Sequence, residues 1–281
     1  MRCRTTSALG ITLLCTVWAG TAAAQPNASL GAPVFMTMDR GDGESRVGGQ
    51  LGWTFFDDDG GDVTGLRFDV YGQYVAPSGL GGYGVLPISM LFFDTVAGDE
   101  SETAIGNVEL GALYVIGGET ADFVLRGGIT LPTADDELEG QIANVFAVFP
   151  RLTDLAHAVP EGMALRLSAS PILRSGQLIL RADAGMDVFL AAEGPDEPDP
   201  FLRLNVGGGI DTGTVAVLAE LVNIGNLEEL DGEDDFAHTA AISARFRAGS
   251  VEPGIAIGFP LDDALEDAID FFIAAGIHGV L

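Results

Sequence analysis

Charged and apolar side chains alternate along several stretches of this sequence. The charged side chains are the groups that could bind a ligand or an ion. Arg67 and Asp69, for example, alternate with Leu66, Phe68 and Val70. Successive side chains of an extended strand point to opposite faces, so such a stretch presents one charged face and one apolar face. Arginines alone bind anions, whereas arginines opposite carboxylates neutralise them.

If the apolar face meets lipid, the charged face lines an interior. An arginine track would suit an anion or acidic-sugar channel, whereas a salt-bridged interior would pass small polar or neutral solutes. The near balance of the two signs favours the salt-bridged interior. The lumen-lining residues predicted in this way are Arg67, Asp69, Glu109, Arg126, Arg166, Arg181, Asp183, Asp187, Arg203, Glu220, Arg245, Arg247 and Glu252.

Short turns between the stretches predict which of these charges face one another. Residues directly opposed across a hairpin lie within about 5.5 Å, and diagonal neighbours lie within about 8 Å. The predicted pairs are Arg203 opposite Glu220, Arg247 opposite Glu252, and Arg166 diagonal to both Asp183 and Asp187.

The elements that carry these residues are stretches of about ten residues with a period of two, which is the signature of barrel strands. We identify about 12 such strands. They cover approximately residues 46–56, 63–76, 83–93, 104–116, 121–132, 162–174, 177–191, 201–210, 213–223, 237–248, 251–261 and 268–280.

The connections between these stretches alternate in kind. Short turns rich in Gly and Ser alternate with longer acidic loops, as in outer-membrane barrels with short periplasmic turns and longer outer loops. The sequence therefore predicts an all-β fold, a transmembrane antiparallel up-and-down β-barrel located in the outer membrane. A soluble secreted β-protein is the alternative.

Two segments do not follow the strand pattern. In the long outer loop 133–161, apolar residues recur at helical spacing up to Pro150, which predicts one short helix. That loop either folds into the lumen as a constriction or lies at the membrane edge. Residues 25–45 precede the first strand and form either a disordered leader or an inserted plug.

Residues 1–24 have the layout of a secretory signal peptide, with Arg2 and Arg4, an apolar stretch and a cleavage site at Ala22–Ala24. Both cysteines, Cys3 and Cys15, lie in this segment, so no disulfide is expected in the mature chain. The expected organisation is a signal peptide (1–24), a leader or plug segment (25–45) and a transmembrane barrel (46–281).

The chain carries a formal net charge of −28, which excludes nucleic acid as an expected partner because phosphate binding needs a basic surface. Outer-membrane lipid, lipopolysaccharide and the barrel assembly machinery are the expected partners; no oligomeric state follows. No cofactor or defined metal site is expected. Loosely bound Ca²⁺ or Mg²⁺ at acidic loops is the weaker alternative, with Asp57, Asp59, Asp231 and Asp235 as candidates.

Catalytic motifs are missing from the sequence. It contains no G-x-S-x-G, no H-E-x-x-H, no phosphate-binding Gly loop and no Cys/His cluster, so an enzyme is not expected. The predicted function is a narrow passive channel or transporter, a small porin. A structural or surface-interaction barrel with acidic extracellular loops is the alternative.

Two short motifs carry a family resemblance. Residues 105–111 (IGNVELG) and 128–133 (GITLPT) resemble the Gly-Asp-x-x-Leu-Gly and Gly-x-x-Leu-Pro-Thr-Gly pattern of outer-membrane proteins of the phenol meta-pathway type. Asn107 stands where that pattern has Asp, and Ala134 stands where it has Gly. The resemblance implies a small outer-membrane barrel that passes hydrophobic compounds.

Overall fold

The computed structural model describes residues 35–56, 63–95, 98–191, 200–227, 236–266 and 269–281. Residues 1–24 and the candidate metal ligands Asp57, Asp59, Asp231 and Asp235 lie outside this part of the chain.

The described residues form one antiparallel sheet of 13 strands. The strands are β1 (Arg46–Phe56), β2 (Val63–Val75), β3 (Leu80–Thr95), β4 (Gly98–Ile105), β5 (Glu109–Gly117), β6 (Ala121–Thr130), β7 (Met163–Ser175), β8 (Leu178–Ala191), β9 (Phe201–Asp211), β10 (Val215–Asn226), β11 (Phe236–Phe246), β12 (Val251–Pro260) and β13 (Ile269–Val280).

The sheet closes on itself because β1 pairs with both β2 and β13. Strands β4 and β5 both pair with β3, β4 along its second half and β5 along its first half. They therefore occupy one position in the wall. This closure confirms the predicted antiparallel barrel of about 12 wall positions.

Pro87 lies on β3 at the point where that wall position is interrupted. Its carbonyl accepts a bond from the N–H of Gly106, between the β4 and β5 ladders. The N–H and C=O of one residue face the same neighbour in an antiparallel pair. The donor that proline lacks would therefore point at the gap, where the ladder is already broken.

Short turns join the strands at one end of the barrel, which also holds the start of β1 and the end of β13; we call it the short-turn end. The longer connections lie at the long-loop end. A glycine with positive φ provides the reversal in four short turns, namely Gly79, Gly176, Gly213 and Gly249.

The two faces of the wall differ as the alternation predicts. On β2, Arg67 and Asp69 are buried inside, whereas Val70 is 41% exposed on the outside. Large apolar side chains are exposed on the outer face of most strands. A soluble protein rarely exposes so much apolar surface, and lipid is the medium that covers it.

The long connection from β6 to β7 contains helix α1 (Leu138–Phe146) and then a 3-10 segment (Phe149–His157). The predicted helix is therefore present, and a second short helix, α2 (Asp263–Glu266), lies between β12 and β13. Among the described residues, no helix is long and apolar enough to cross a membrane.

Two stretches of chain occupy the space inside the barrel. We call residues 35–45 the inner segment, which continues from the short-turn end, and residues 149–157 the outer segment, which descends from the long-loop end. Phe35 and Met38 of the inner segment share an apolar cluster with Leu152 of the outer segment and with Leu218 and Val222 of β10. The two segments therefore meet in the middle of the barrel.

Candidate functional site: the interior of the barrel

The structure places every predicted lumen-lining residue inside the barrel. Arg126 and Arg247 keep some exposure, with 8% and 14% of their side chains accessible. The buried members are Arg67, Asp69, Glu109, Arg166, Arg181, Asp183, Asp187, Arg203, Glu220, Arg245 and Glu252.

Asp154 of the outer segment lies at the centre of an ion-pair cluster with four arginines. Its carboxylate accepts bonds from Arg151 at 2.7 Å and from Arg40 of the inner segment at 2.9 Å. From the wall, Arg166 approaches it at 3.3 Å and Arg67 at 3.5 Å. One carboxylate therefore joins both segments to the barrel.

Glu109 on β5 gathers a second set of donors. Arg166 reaches it at 2.5 Å, the hydroxyl of Tyr83 at 2.5 Å and Nε2 of His157 at 2.9 Å. Arg67 lies 2.9 Å from Nδ1 of His157. Since arginine only donates, Nδ1 accepts, and the neutral ring donates from Nε2 to Glu109.

Glu220 on β10 holds the main chain of the inner segment. It accepts the N–H groups of Met36, Thr37 and Met38 at 3.0, 2.7 and 3.3 Å. The hydroxyls of Thr37 and Ser243 each donate to it at 2.8 Å. A carboxylate that accepts several N–H bonds is a strong anchor, because charged acceptors form stronger hydrogen bonds than neutral ones.

The inner segment and the outer segment also contact one another directly. Arg151 donates to the carbonyls of Met36 and Met38 at 2.6 and 2.8 Å. The hydroxyl of Thr153 donates to the carbonyl of Thr37 at 3.1 Å. Each segment thus covers polar groups of the other.

A separate cluster lies near the short-turn end. Arg46 pairs with Asp42 of the inner segment at 2.9 Å and with Glu252 at 3.3 Å. His278 lies 2.7 Å from Glu252, and Arg247 lies 2.8 Å from it. The predicted pair of Arg247 with Glu252 is therefore confirmed.

The other two register predictions are wrong. Arg203 lies opposite Ile224, and Glu220 lies opposite Gly207, because the turn after β9 is longer than predicted. Arg166 lies directly opposite Asp187, with the two side chains 3.2 Å apart.

Burial and charge set the pKa values of the two segments. Burial works to raise the pKa of Asp39, but Arg203 and Arg126 outweigh it and lower the pKa to about 2. Burial also opposes ionisation of Asp154, yet Arg151 and Arg40 hold its pKa well below the usual range. Burial lowers the pKa of His157 from its ordinary value.

One group of side chains has metal-ligand geometry among the described residues. Glu109, Asp154 and His157 bring ligand atoms within 4.8 Å of one another. Nη1 of Arg166, however, lies 2.5, 3.3 and 3.1 Å from atoms of these three residues. The guanidinium occupies the position that a metal ion would need, so the cation of this cluster is Arg166.

Asn107 holds together the two ends of the long connection between β6 and β7. This fully buried side chain lies between β4 and β5. Its amide nitrogen donates to the carbonyls of Ala156 and Val159 at 3.1 and 2.6 Å. Its oxygen accepts the N–H groups of Thr133 and Ala134 at 3.0 and 2.9 Å. One side chain thus ties the start of the connection to its end.

Sequence reasoning missed the site residues contributed by the two segments. The most important are Asp39, Arg40, Arg151, Asp154 and His157, which lie outside the alternating strands. The sequence offers one compositional signal for these site residues. Charged residues, which are usually exposed, lie close to apolar residues within loops.

No protein-family model matches the sequence, and no curated protein matches it. Solved structures do resemble it. An outer membrane channel from Pseudomonas putida F1 superposes with a TM-score of 0.64 at 12% identity, over 92% of this chain and 100% of that one. The NanC porin superposes with a TM-score of 0.51 at 9% identity, over 84% of this chain and 100% of that one.

At these identities the similarity concerns the fold. Together with the closed sheet and the apolar outer face, it defines an outer-membrane β-barrel that resembles bacterial outer-membrane channels.

Proposed function

We propose that this barrel is a narrow passive channel for small solutes, in a closed state. The observation that carries the proposal is that the lumen is filled at mid-height by the inner and outer segments as well as by wall side chains. A barrel of about 12 strands is wider than one that its own side chains fill, which has about eight.

The way the two segments are held supports a removable closure. Ion pairs and hydrogen bonds join them to a charged wall, and water replaces such bonds when a segment leaves. The space between Asp39, Tyr83, Glu109 and Arg203 is too small for a water molecule in the closed state.

The experiment is single-channel conductance in a planar bilayer, with the refolded mature protein and with a variant lacking residues 135–158. Asn107 binds both Ala134 and Val159, so a short Gly-Ser linker can join the cut ends. We expect rare, small steps from the mature protein and larger, stable steps from the deletion variant.

Heat-modifiable gel migration must show a folded barrel in both proteins. Silence from both folded proteins would overturn the channel and favour the alternative, a structural or surface-interaction barrel whose acidic outer loops make the contacts. Binding to divalent ions or to host surfaces would then be measured. This binding should be lost after deletion of the acidic outer loops.

A further inference from the structure

The carboxylate of Asp39 lies in a socket formed by two wall arginines. Nη1 of Arg203 donates to both oxygens of Asp39, at 2.9 and 3.0 Å. Nη1 of Arg126 lies 3.6 Å from one of the same oxygens. The side chains of all three residues are at least nine-tenths buried.

Nη2 of Arg203 is paired with Asp187 at 2.8 Å, but each of the two arginines keeps one donor without a partner. The Nε atoms of Arg126 and Arg203 are buried and have no hydrogen-bond partner. Arg126 approaches Glu109 only to 3.8 Å and lies over the ring of Tyr83, 4.0 Å from its centroid. A buried N–H without an acceptor is costly. A free carboxylate, unlike the tethered carboxylate of Asp39, can move to accept from these Nε atoms as well.

We propose that Arg126 and Arg203 form a binding site for small carboxylate solutes, and that Asp39 occupies it in the closed channel as a tethered substitute. The planar, forked donors of arginine match the two oxygens of a carboxylate. This proposal rests on the proposed channel function and names its solute class. A free carboxylate competes with Asp39 and thereby promotes release of the inner segment.

The charge of the lumen then depends on the state of the channel. The inner segment contributes Asp39, Asp42 and Glu44 against the single positive charge of Arg40. Its departure removes more negative than positive charge. The salt-bridged interior therefore describes the closed barrel, and the open wall has a surplus of arginine that favours anions.

The first test measures release of the inner segment without any membrane. Trypsin cleaves after arginine, and the bond after Arg40 is buried while the segment is docked. The folded protein in detergent is digested with succinate, with neutral succinamide, or with sodium chloride at matched ionic strength. We expect succinate alone to accelerate cleavage after Arg40, by about tenfold for one charge-assisted bond replaced.

Two variants assign the effect to the socket. Arg126→Gln should abolish the response to succinate, whatever its basal cleavage rate. Arg174→Gln removes the same charge near the short-turn end, where Arg174 pairs with Asp122, and should keep the response. Equal acceleration by succinamide or sodium chloride, or an unchanged response in Arg126→Gln, would overturn the proposal.

The second test measures ion selectivity. The reversal potential of Asp39→Asn in a salt gradient should show preference for anions, weakened by adding Arg126→Gln and retained with Arg126→Lys. A conducting Asp39→Asn channel without anion preference would overturn the carboxylate site alone. Silence from every folded variant would overturn the channel, and the succinate response of the protease assay would still decide whether the site exists.

Discussion

The inner and outer segments fill the same lumen but are held in different ways. Residues 36–38 of the inner segment are bound mainly through their main chain, whose N–H groups meet Glu220 and whose carbonyls meet Arg151. Residues 39–42 add side-chain ion pairs, including that of Asp39 with Arg203. The outer segment is bound mainly through its own side chains: Arg151 donates to Met36, Asp154 accepts from Arg40, and His157 donates to Glu109.

This difference shows which residues determine how each segment binds in the lumen. Main-chain binding depends little on the sequence of residues 36–38, so the specificity of that contact lies in the wall at Glu220. Side-chain binding places the specificity of the outer closure in the segment itself. Substitutions therefore should separate the two, and trypsin reports on both, after Arg40 for the inner segment and after Arg151 for the outer.

Asp154→Asn should have the largest effect, because Asp154 binds arginines of both segments and of the wall. Loss of its charge leaves buried arginines facing one another, at a cost of about 4 kcal/mol. We expect cleavage after both Arg40 and Arg151 to accelerate. Acceleration at one site alone would show that the two segments are not joined through Asp154; Asp122→Asn near the short-turn end is the control.

Glu220→Gln should release the inner segment far more than the outer. An amide is a weaker acceptor than a carboxylate, and three N–H groups depend on it. The expected loss is about 3 kcal/mol, or roughly a hundredfold faster cleavage after Arg40. Ser243→Ala, which removes a different partner of Glu220, should change this rate little; an equal change would refute main-chain anchoring.

Asn107→Asp should affect the outer segment more than the inner segment. An ionised carboxylate cannot donate, so the bonds to the carbonyls of Ala156 and Val159 are lost, at a cost of about 2 kcal/mol. Cleavage after Arg151 should accelerate more than cleavage after Arg40, because the inner segment keeps its bonds to Glu220 and Arg203. An unchanged rate after Arg151 would mean that Asn107 does not hold the connection between β6 and β7 in place.

Acid should have the smallest effect, and it should act on the two segments at different pH values. His157 has a lowered pKa when docked, so protons favour the undocked state and docking weakens as pH falls below 6.5. Asp39 has a docked pKa of about 2, so its contribution persists until the pH falls below about 4. The outer segment should therefore loosen first.

Environment-sensitive fluorophores on the single-cysteine variants Leu155→Cys and Glu44→Cys would follow the two segments during the titration. His157→Gln should remove the change between pH 6.5 and 5 at the outer position and leave the inner position unaffected. Simultaneous changes at both positions would contradict separate anchoring.

The wall was predictable from the sequence, because alternation is a local property of each strand. The predicted range 46–56 coincides with β1, and the Arg247–Glu252 pair follows from one short turn. The predicted Arg203–Glu220 pair failed because side-chain bonds from Asp211 and Thr212 extend that turn to Val215. The length of a turn depends on such contacts, and the alternation of charged and apolar residues in the strands does not predict them.

The contents of the lumen were not predictable in the same way. Residues 35–45 have no periodicity, and their partners are distant in the chain: Arg203 follows Asp39 by 164 residues. The tripeptide Arg40-Gly41-Asp42 resembles an adhesion motif, yet Arg40 and Asp42 bind interior side chains. Added bulk at Gly41 would collide with Arg126.

The separation between the inner segment and Glu220 also dictates an order of folding. Met36 precedes its acceptor by 184 residues, and the N–H of Leu281 bonds to the carbonyl of Ser45. Contacts between such distant residues form late, since long loops must close first. The docking surface for residues 36–38 does not exist until the C-terminal strands have assembled. We therefore expect the barrel wall to close before residues 36–38 dock onto Glu220.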